Sequence, residues 1–120
     1  MYEGLIIKES LKNESILERL DIIKTEVWDV DNASEDQPKQ WHVSYFQVEE
    51  NKIDDIAEQI SKSLQNGKWY VNFSGNVEYT VVVFPDKVFK YKKGDIKERA
   101  MAVEYGRGLQ IPESQLDWPE

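Results

Sequence analysis

Hydrophobic and polar positions follow two different periods along the chain, and the changes of period divide it into strands and helices. Segments with alternating or continuous β-branched and aromatic residues predict strands. They occupy residues 2–8, 21–30, 41–49, 68–74, 77–84 and 87–93. The turn formers Gly75-Asn76 and Pro85-Asp86 separate the last three, which therefore predict an antiparallel meander.

Helical spacing is clearest over residues 51–67. Its apolar residues are spaced three or four positions apart, about one helical turn, at Ile53, Ile56, Ile60 and Leu64. Asn66-Gly67 is expected to end the helix. A shorter helix is predicted after Asn13, a plausible N-cap for the apolar face that Ile16, Leu17 and Leu20 form.

A third helix is predicted from Ile96 to Tyr105. Asp95 and Glu98 have the spacing of a capping box, so the Asp95 carboxylate can accept from the Glu98 amide. Gly106 and Gly108 are expected to end the helix, because glycine takes the left-handed conformation without a Cβ penalty.

The order of elements predicts an α+β fold with a ferredoxin-like β-α-β-β-α-β core, extended by a β-hairpin and a C-terminal helix. An antiparallel sheet should carry the helices packed on it. The 120 residues contain no internal repeat or linker, so one domain is expected over residues 1–120.

The last twelve residues, 109–120, form an unusual tail that contains Leu109, Ile111, Leu116 and Trp118. They could be a docking peptide for a partner or a strap that packs on the domain. The strap is favoured, because Pro112 suits the start of a further turn and the four large side chains can then lie back on the domain.

Composition restricts the environment and the chemistry. The chain has no cysteine, which excludes disulfides and thiolate sites and fits a reducing cytoplasm. The N-terminus has no signal-peptide pattern, and no apolar run is long enough for a membrane span, so we expect a cytoplasmic protein without a membrane association.

Charge is distributed unevenly along the acidic chain. The net charge of −8 opposes nucleic-acid binding. Residues 87–107 nevertheless carry seven basic and three acidic side chains. The basic residues Lys87, Lys90, Lys92, Lys93, Lys97 and Arg99 form either an anion or partner patch or, the favoured interpretation, an edge strand protected by lysines.

No cofactor or metal site is predicted. One histidine and no cysteine cannot build a usual zinc site. The acidic residues Asp29, Asp31, Glu35 and Asp36 crowd one loop, but they lack the glycine and the terminal glutamate of an EF-hand. A solvated acidic loop explains them better.

His42 is the side chain to which acid–base chemistry at neutral pH would turn first. An enzyme of the dimeric α+β-barrel type would place His42, Tyr45 and Tyr70 around a small-molecule pocket. We favour a histidine at a half-exposed sheet position, because no partner for it is visible in the sequence.

Aromatic residues concentrate in the predicted strands, where they could stack bases on an open sheet or pack in the core. The set is Trp41, Tyr45, Trp69, Tyr70, Phe73, Tyr79, Phe89 and Tyr91. RNA-recognition modules use such rings with a basic glycine-containing signature that is missing here. Core and cross-strand packing is therefore favoured.

Three stretches, "YEGLIIKESLKNESIL", "FPDKVFKYKKGD" and "EYGRGLQIPESQLDW", carry a resemblance. They resemble an uncharacterised family of small stand-alone bacterial proteins of unknown function. The resemblance implies a bacterial cytoplasmic protein and transfers no functional residue.

The sequence as a whole favours a non-enzymatic binding or protein-interaction module. Its partner would be an unknown protein or a second copy in a homodimer, since strands with aromatic residues on both sides leave apolar surface to cover. The enzyme with a pocket near His42 is the alternative.

Overall fold

The computed structural model describes residues 1–31, 37–66, 68–75 and 77–118, which form strands, α-helices and short 3₁₀ helices. The strands are β1 (Tyr2–Ile7), β2 (Asp21–Asp29), β3 (Gln40–Val48), β4 (Val71–Ser74), β5 (Tyr79–Phe84) and β6 (Lys87–Lys92). The α-helices are α1 (Ile53–Ser63) and α2 (Ile96–Gly108). Short 3₁₀ helices occupy Lys8–Ser10, Glu14–Arg19, Glu50–Lys52 and Glu113–Gln115.

All the strands belong to one six-stranded antiparallel sheet in the order β2-β3-β1-β4-β5-β6. The predicted α+β class, the antiparallel sheet and the meander of β4, β5 and β6 are confirmed. The fold differs from a simple ferredoxin-like fold, because it has two further strands in the sheet, no α-helix after β1 and helices on both faces.

The first predicted helix is a 3₁₀ helix over Glu14–Arg19. Asn13 is its N-cap and accepts a hydrogen bond from the Ser15 amide at 3.1 Å, as its residue type suggested. The chain is fixed just before it, where Leu11 bridges to Leu64 and the Lys12 amide donates to the Ser63 carbonyl at 2.8 Å. Too few residues then remain before β2 for a longer helix.

The face of the sheet that α1 covers, called the α1 face, holds the larger core. Gly4 lies at its centre, opposite Phe46 on β3 and Phe73 on β4. The two phenyl rings meet edge to face over this glycine, with centroids 5.5 Å apart. A Cβ at Gly4 would lie 3.2 Å from each ring, so a small residue is needed there.

The opposite face, called the α2 face, is covered by α2 only over β5 and β6. Val82 and Phe84 of β5 pack there against Ala102 and Tyr105 of α2. The Phe84 and Tyr105 rings are 5.1 Å apart. A separate cluster around Ile7, Trp41, Val43 and Trp69 lies over the other half of this face.

The end of α2 corrects the prediction for its glycines. The helix runs through Gly106 to Gly108, and the left-handed residue that follows is Gln110, with φ of 64°. Gly106 instead permits close packing, because a Cβ there would lie 2.7 Å from Cδ2 of Leu116. The missing side chain at Gly106 therefore lets Leu116 pack closely against α2.

Residues 109–118, called the C-terminal segment, lie back on the α2 face. Ile111, Leu116 and Trp118 are buried in the cluster that contains Phe84 and Tyr91. The Trp118 indole donates to the Tyr91 hydroxyl at 2.9 Å. Arg99 donates to the Trp118 carbonyl at 2.8 Å, and its guanidinium lies 5.1 Å from the Trp118 ring centroid.

Several sequence predictions fall on residues outside the described ranges. These are Glu35 and Asp36 of the acidic loop, Gly67 after α1, Asn76 of the first predicted turn, and the last two residues of the tail. Within the described ranges, no helix is both long enough and apolar enough to cross a lipid bilayer.

The contribution of the C-terminal segment to stability can be measured at Leu116. We expect Leu116→Ala to lower the free energy of unfolding by about 2–5 kcal/mol, since it opens a cavity beside Gly106. Urea denaturation measures the change. Ile96→Ala is the matched control, because Ile96 is 81% exposed and its truncation should cost little; equal losses in the two variants would contradict the packing described.

Candidate functional site

A groove of about 530 Å³ opens on the α2 face, beside the C-terminal segment. Its floor includes Leu5 and Ile7 of β1 and Asn72 of β4, and its walls are the ends of β2 and β3 on one side and residues 114–118 on the other. Among the described residues, α2 and the C-terminal segment cover only part of this face, which leaves the groove open.

All four tryptophans of the chain line this groove. They are Trp28 on β2, Trp41 on β3, Trp69 before β4 and Trp118 in the C-terminal segment, and Tyr70 is a fifth aromatic lining residue. They come from four separate parts of the sequence, so only the fold brings them together. A concave surface of this volume that is lined by several aromatic side chains is typical of small-molecule sites.

Neighbouring groups hold the aromatic walls in place. The Trp41 and Trp69 rings meet edge to face at 5.2 Å, and the Trp41 indole donates to the Pro38 carbonyl at 2.7 Å. The Tyr70 and Trp118 rings are 5.4 Å apart. Trp28 is only half-buried, and its indole donates to Glu26 at 3.2 Å. Trp28 is therefore the most accessible of the four rings.

The charged lining is mainly acidic. Asp29, Asp31 and Asp117 contribute carboxylates and Lys68 contributes one ammonium, so these residues carry a net charge of −2. The uncharged polar lining residues are Asn72, Ser114 and Gln115. The groove thus combines π-faces with carboxylates, a combination that favours cations over anions.

Tyr70 joins the groove to the C-terminal segment. Its hydroxyl donates to the Gln115 carbonyl. Burial raises the pKa of the Tyr70 phenol well above its ordinary value, and the nearby Asp117 carboxylate adds to this effect. The phenol therefore stays protonated and acts as a structural donor.

His42 lies outside the groove, on the opposite face of β3 from Trp41. Its side chain is 53% exposed, and its Nδ1 lies 2.6 Å from a carboxylate oxygen of Glu9. The His42 backbone amide donates to the other Glu9 oxygen at 2.7 Å. Partial burial acts to raise the pKa of Glu9, but these hydrogen bonds from His42 outweigh it and lower that pKa.

Tyr45 points to the other side of β3 from His42, since the two are three residues apart on one strand. Its hydroxyl donates to Glu26 at 2.8 Å. This hydrogen bond raises the pKa of Tyr45 and lowers that of Glu26. His42, Tyr45 and Tyr70 thus have three separate sets of partners, and their geometry gives no support to a shared catalytic pocket.

The basic residues predicted as a patch are dispersed. Lys90 and Lys92 lie on the α1 face of β6, where Lys90 is 3.2 Å from Asp54 and Lys92 is 3.3 Å from Glu78. Lys87 lies on the α2 face, 5.3 Å from the Phe89 ring, and Lys97 is exposed on α2. Arg99 contacts Trp118, and Lys93 donates to the Gly75 carbonyl at 2.7 Å. They do not converge on one centre.

Within residues 1–31, 37–66, 68–75 and 77–118, no three His, Cys, Asp or Glu side chains are grouped so that they could hold a metal ion. Among the groove residues, Trp28 and Asp117 had no role predicted from the sequence. Trp118 was predicted only as part of the strap, and Asp29 and Asp31 only as part of a solvated acidic loop. A count of tryptophans was the available signal, but it gives no position in space.

Comparisons of the chain with protein-family models, curated proteins and solved structures find no match. The resemblance to an uncharacterised bacterial family therefore stays a prediction.

The raised pKa of Tyr70 predicts a loss of stability at alkaline pH. The folded protein holds the phenol neutral, so this contribution is fully present below about pH 10, the pKa of an unfolded tyrosine, and is lost as the pH rises above it. In Tyr70→Phe, urea denaturation should show a shallower alkaline decline, with a cost of about 1 kcal/mol at neutral pH from the lost hydrogen bond. Tyr79→Phe, at a ring that is 40% exposed, is the control; parallel declines in the wild type and Tyr70→Phe would refute the assignment.

Proposed function

We propose that the protein is a non-enzymatic binding module that takes a small organic cation into the tryptophan-lined groove. The convergence of all four tryptophans with three aspartates on one cavity carries this proposal. The volume of about 530 Å³ suits a ligand of metabolite size.

Aromatic rings and carboxylates favour a cation for different reasons. A tryptophan face attracts a cation through its quadrupole, by roughly 0.5–2 kcal/mol according to desolvation. Asp29, Asp31 and Asp117 supply the opposite charge, whereas Lys68 is the single cationic side chain among the described lining residues. An anion such as a phosphate would meet three carboxylates.

We further propose that β1 to β4, with the segments between them, are a ferredoxin-like core to which β5, β6 and α2 are added. The order β2-β3-β1-β4, with every neighbour antiparallel, supports this interpretation. The 3₁₀ helix at Glu14–Arg19 would occupy the place of the first helix of that fold.

The binding proposal can be tested with three probes of similar size and different charge. We expect benzyltrimethylammonium to change the tryptophan fluorescence at lower concentration than uncharged benzyl alcohol, and anionic phenylacetate to bind most weakly. The tryptophans report directly, because all of them line the groove. Equal responses to the three probes, or a preference for phenylacetate, would exclude a cation site.

Substitutions in the groove should weaken cation binding selectively. We expect Trp28→Ala to raise the dissociation constant of benzyltrimethylammonium about tenfold, and Asp117→Asn or Asp29→Asn to raise it about two- to fivefold. The aspartate variants should bind benzyl alcohol as before. Asp54→Asn removes a carboxylate on the α1 face and is the control; an equal effect there would show that the charge acts from a distance and not within the groove.

A further inference from the structure

Among the described residues, β2 has no strand paired to its outer side and carries several exposed apolar side chains. β2 is the outermost strand of the described sheet and pairs only with β3. Its Ile22, Ile23 and Val27 are 38%, 60% and 56% exposed, and they are three of the seven exposed large hydrophobic residues in the described part of the chain. Such an edge is a template for pairing with another strand.

The sequence of this edge is complementary to itself. Ile23-Lys24-Thr25-Glu26-Val27 reads as apolar, basic, polar, acidic and apolar, with Thr25 at the centre. When two copies of this segment lie antiparallel with Thr25 opposite Thr25, the basic Lys24 of one copy lies opposite the acidic Glu26 of the other. The apolar Ile23 lies opposite the apolar Val27.

We propose that β2 is a homodimerisation edge, which pairs antiparallel with β2 of a second copy about a two-fold axis at Thr25. Thr25 then lies opposite the Thr25 of the other copy, and each Lys24 lies opposite a Glu26. Cross-strand pairs of these kinds stabilise antiparallel sheets.

Charge selects this register over its neighbours. If the register between the two copies shifts by two residues in one direction, the two Lys24 side chains lie directly opposite each other. If it shifts by two residues in the other direction, the two Glu26 side chains lie directly opposite each other. Like charges directly opposite are destabilising. Within one copy Lys24 and Glu26 are already 3.0 Å apart, so the dimer joins two such pairs into an alternating group of four charges.

The geometry of β2 allows this pairing. Its bulge falls between Ile22 and Lys24, at one end of the proposed segment, and the register with β3 is regular from Lys24 to Asp29. A two-fold axis perpendicular to the sheet keeps the α1 faces of both copies on the same side. Two sheets would become one, and Trp28 would place the groove of each copy close to the interface.

The opposite edge of the sheet shows the contrast. β6 carries Lys87, Lys90 and Lys92 and no acidic residue, so two copies of β6 would repel each other. β2 instead carries Lys24 and Glu26, which come opposite each other when two copies pair about Thr25. The interface is small, below roughly 1,200 Å² in total, and a dimer with a dissociation constant in the micromolar range is expected.

Charge reversal tests the pairing. By analytical ultracentrifugation over about 10 μM to 1 mM, we expect the wild type to dimerise, and Lys24→Glu or Glu26→Lys alone to raise the dissociation constant about tenfold or more. The double variant K24E/E26K restores opposite pairs and should dimerise again. Lys87→Glu, on the other edge, should leave dimerisation unchanged, and circular dichroism confirms that each variant folds.

Single cysteines test the register, because the chain has none of its own. Across the proposed pair the two Cα atoms of residue 25 would be about 4.5–5.5 Å apart, within disulfide range. With an added thiol oxidant, Thr25→Cys should give a disulfide-linked dimer faster than Lys24→Cys or Glu26→Cys. Faster linkage at position 24 or 26 would overturn the register proposed.

Three results would overturn the dimer itself. They are a monomer over the whole concentration range, a K24E/E26K variant no better than the single variants, and a ladder of larger oligomers. A ladder would indicate that the acidic β2 pairs with the basic β6 of another copy, which forms an open chain instead of a closed dimer.

Discussion

The six-stranded sheet is apolar on both faces, and in the described part of the chain two α-helices are available to cover them. α1 and the 3₁₀ helix at Glu14–Arg19 contribute to the core of one face. On the other face, α2 covers β5 and β6, and the C-terminal segment must supply the rest of the cover. Its residues 114–118 form one wall of the tryptophan-lined groove.

This constraint explains why the end of the chain is apolar. Leu116 packs against Gly106 and Trp118 packs against Arg99, so two residues of α2 position the segment that lies over the sheet. Tyr70 adds a hydrogen bond to the Gln115 carbonyl. The wall of the groove is therefore built by the same contacts that stabilise the fold, and binding and stability are coupled through them.

Charge is organised at the edges and around the groove. The net charge of −8 conceals a basic outer strand, β6, and an outer strand with both signs, β2. The lysines of β6 stand at the position where edge protection would place them. The three aspartates of the groove place negative charge beside its aromatic rings, and this charge distinguishes the groove from an ordinary exposed apolar patch.

Prediction from sequence succeeded for elements whose structure is determined by residues close to each other along the chain. The apolar stripe of α1, the Asp95 cap of α2 and the alternation in β3 depend on neighbours within a few residues, and each was found close to its observed bounds. Prediction was less complete where a distant residue decides. The short helix after Asn13 is present with its predicted N-cap, but its 3₁₀ form was not predicted. The prediction that Gly106 ends α2 was wrong, because the helix continues to Gly108 and the missing Cβ of Gly106 instead leaves space for Leu116.

The α+β class, the positions of the strands and the self-complementary charges of β2 follow from period, residue type and order along the chain. The fold was needed to show that four tryptophans and three aspartates line one groove and that His42 lies on the other face of β3. These features join residues as far apart as Trp28 and Trp118. These residues come together because of the order of the strands in the sheet and the face of the sheet on which each side chain lies. Neither property can be read from the pattern of residues within one short stretch.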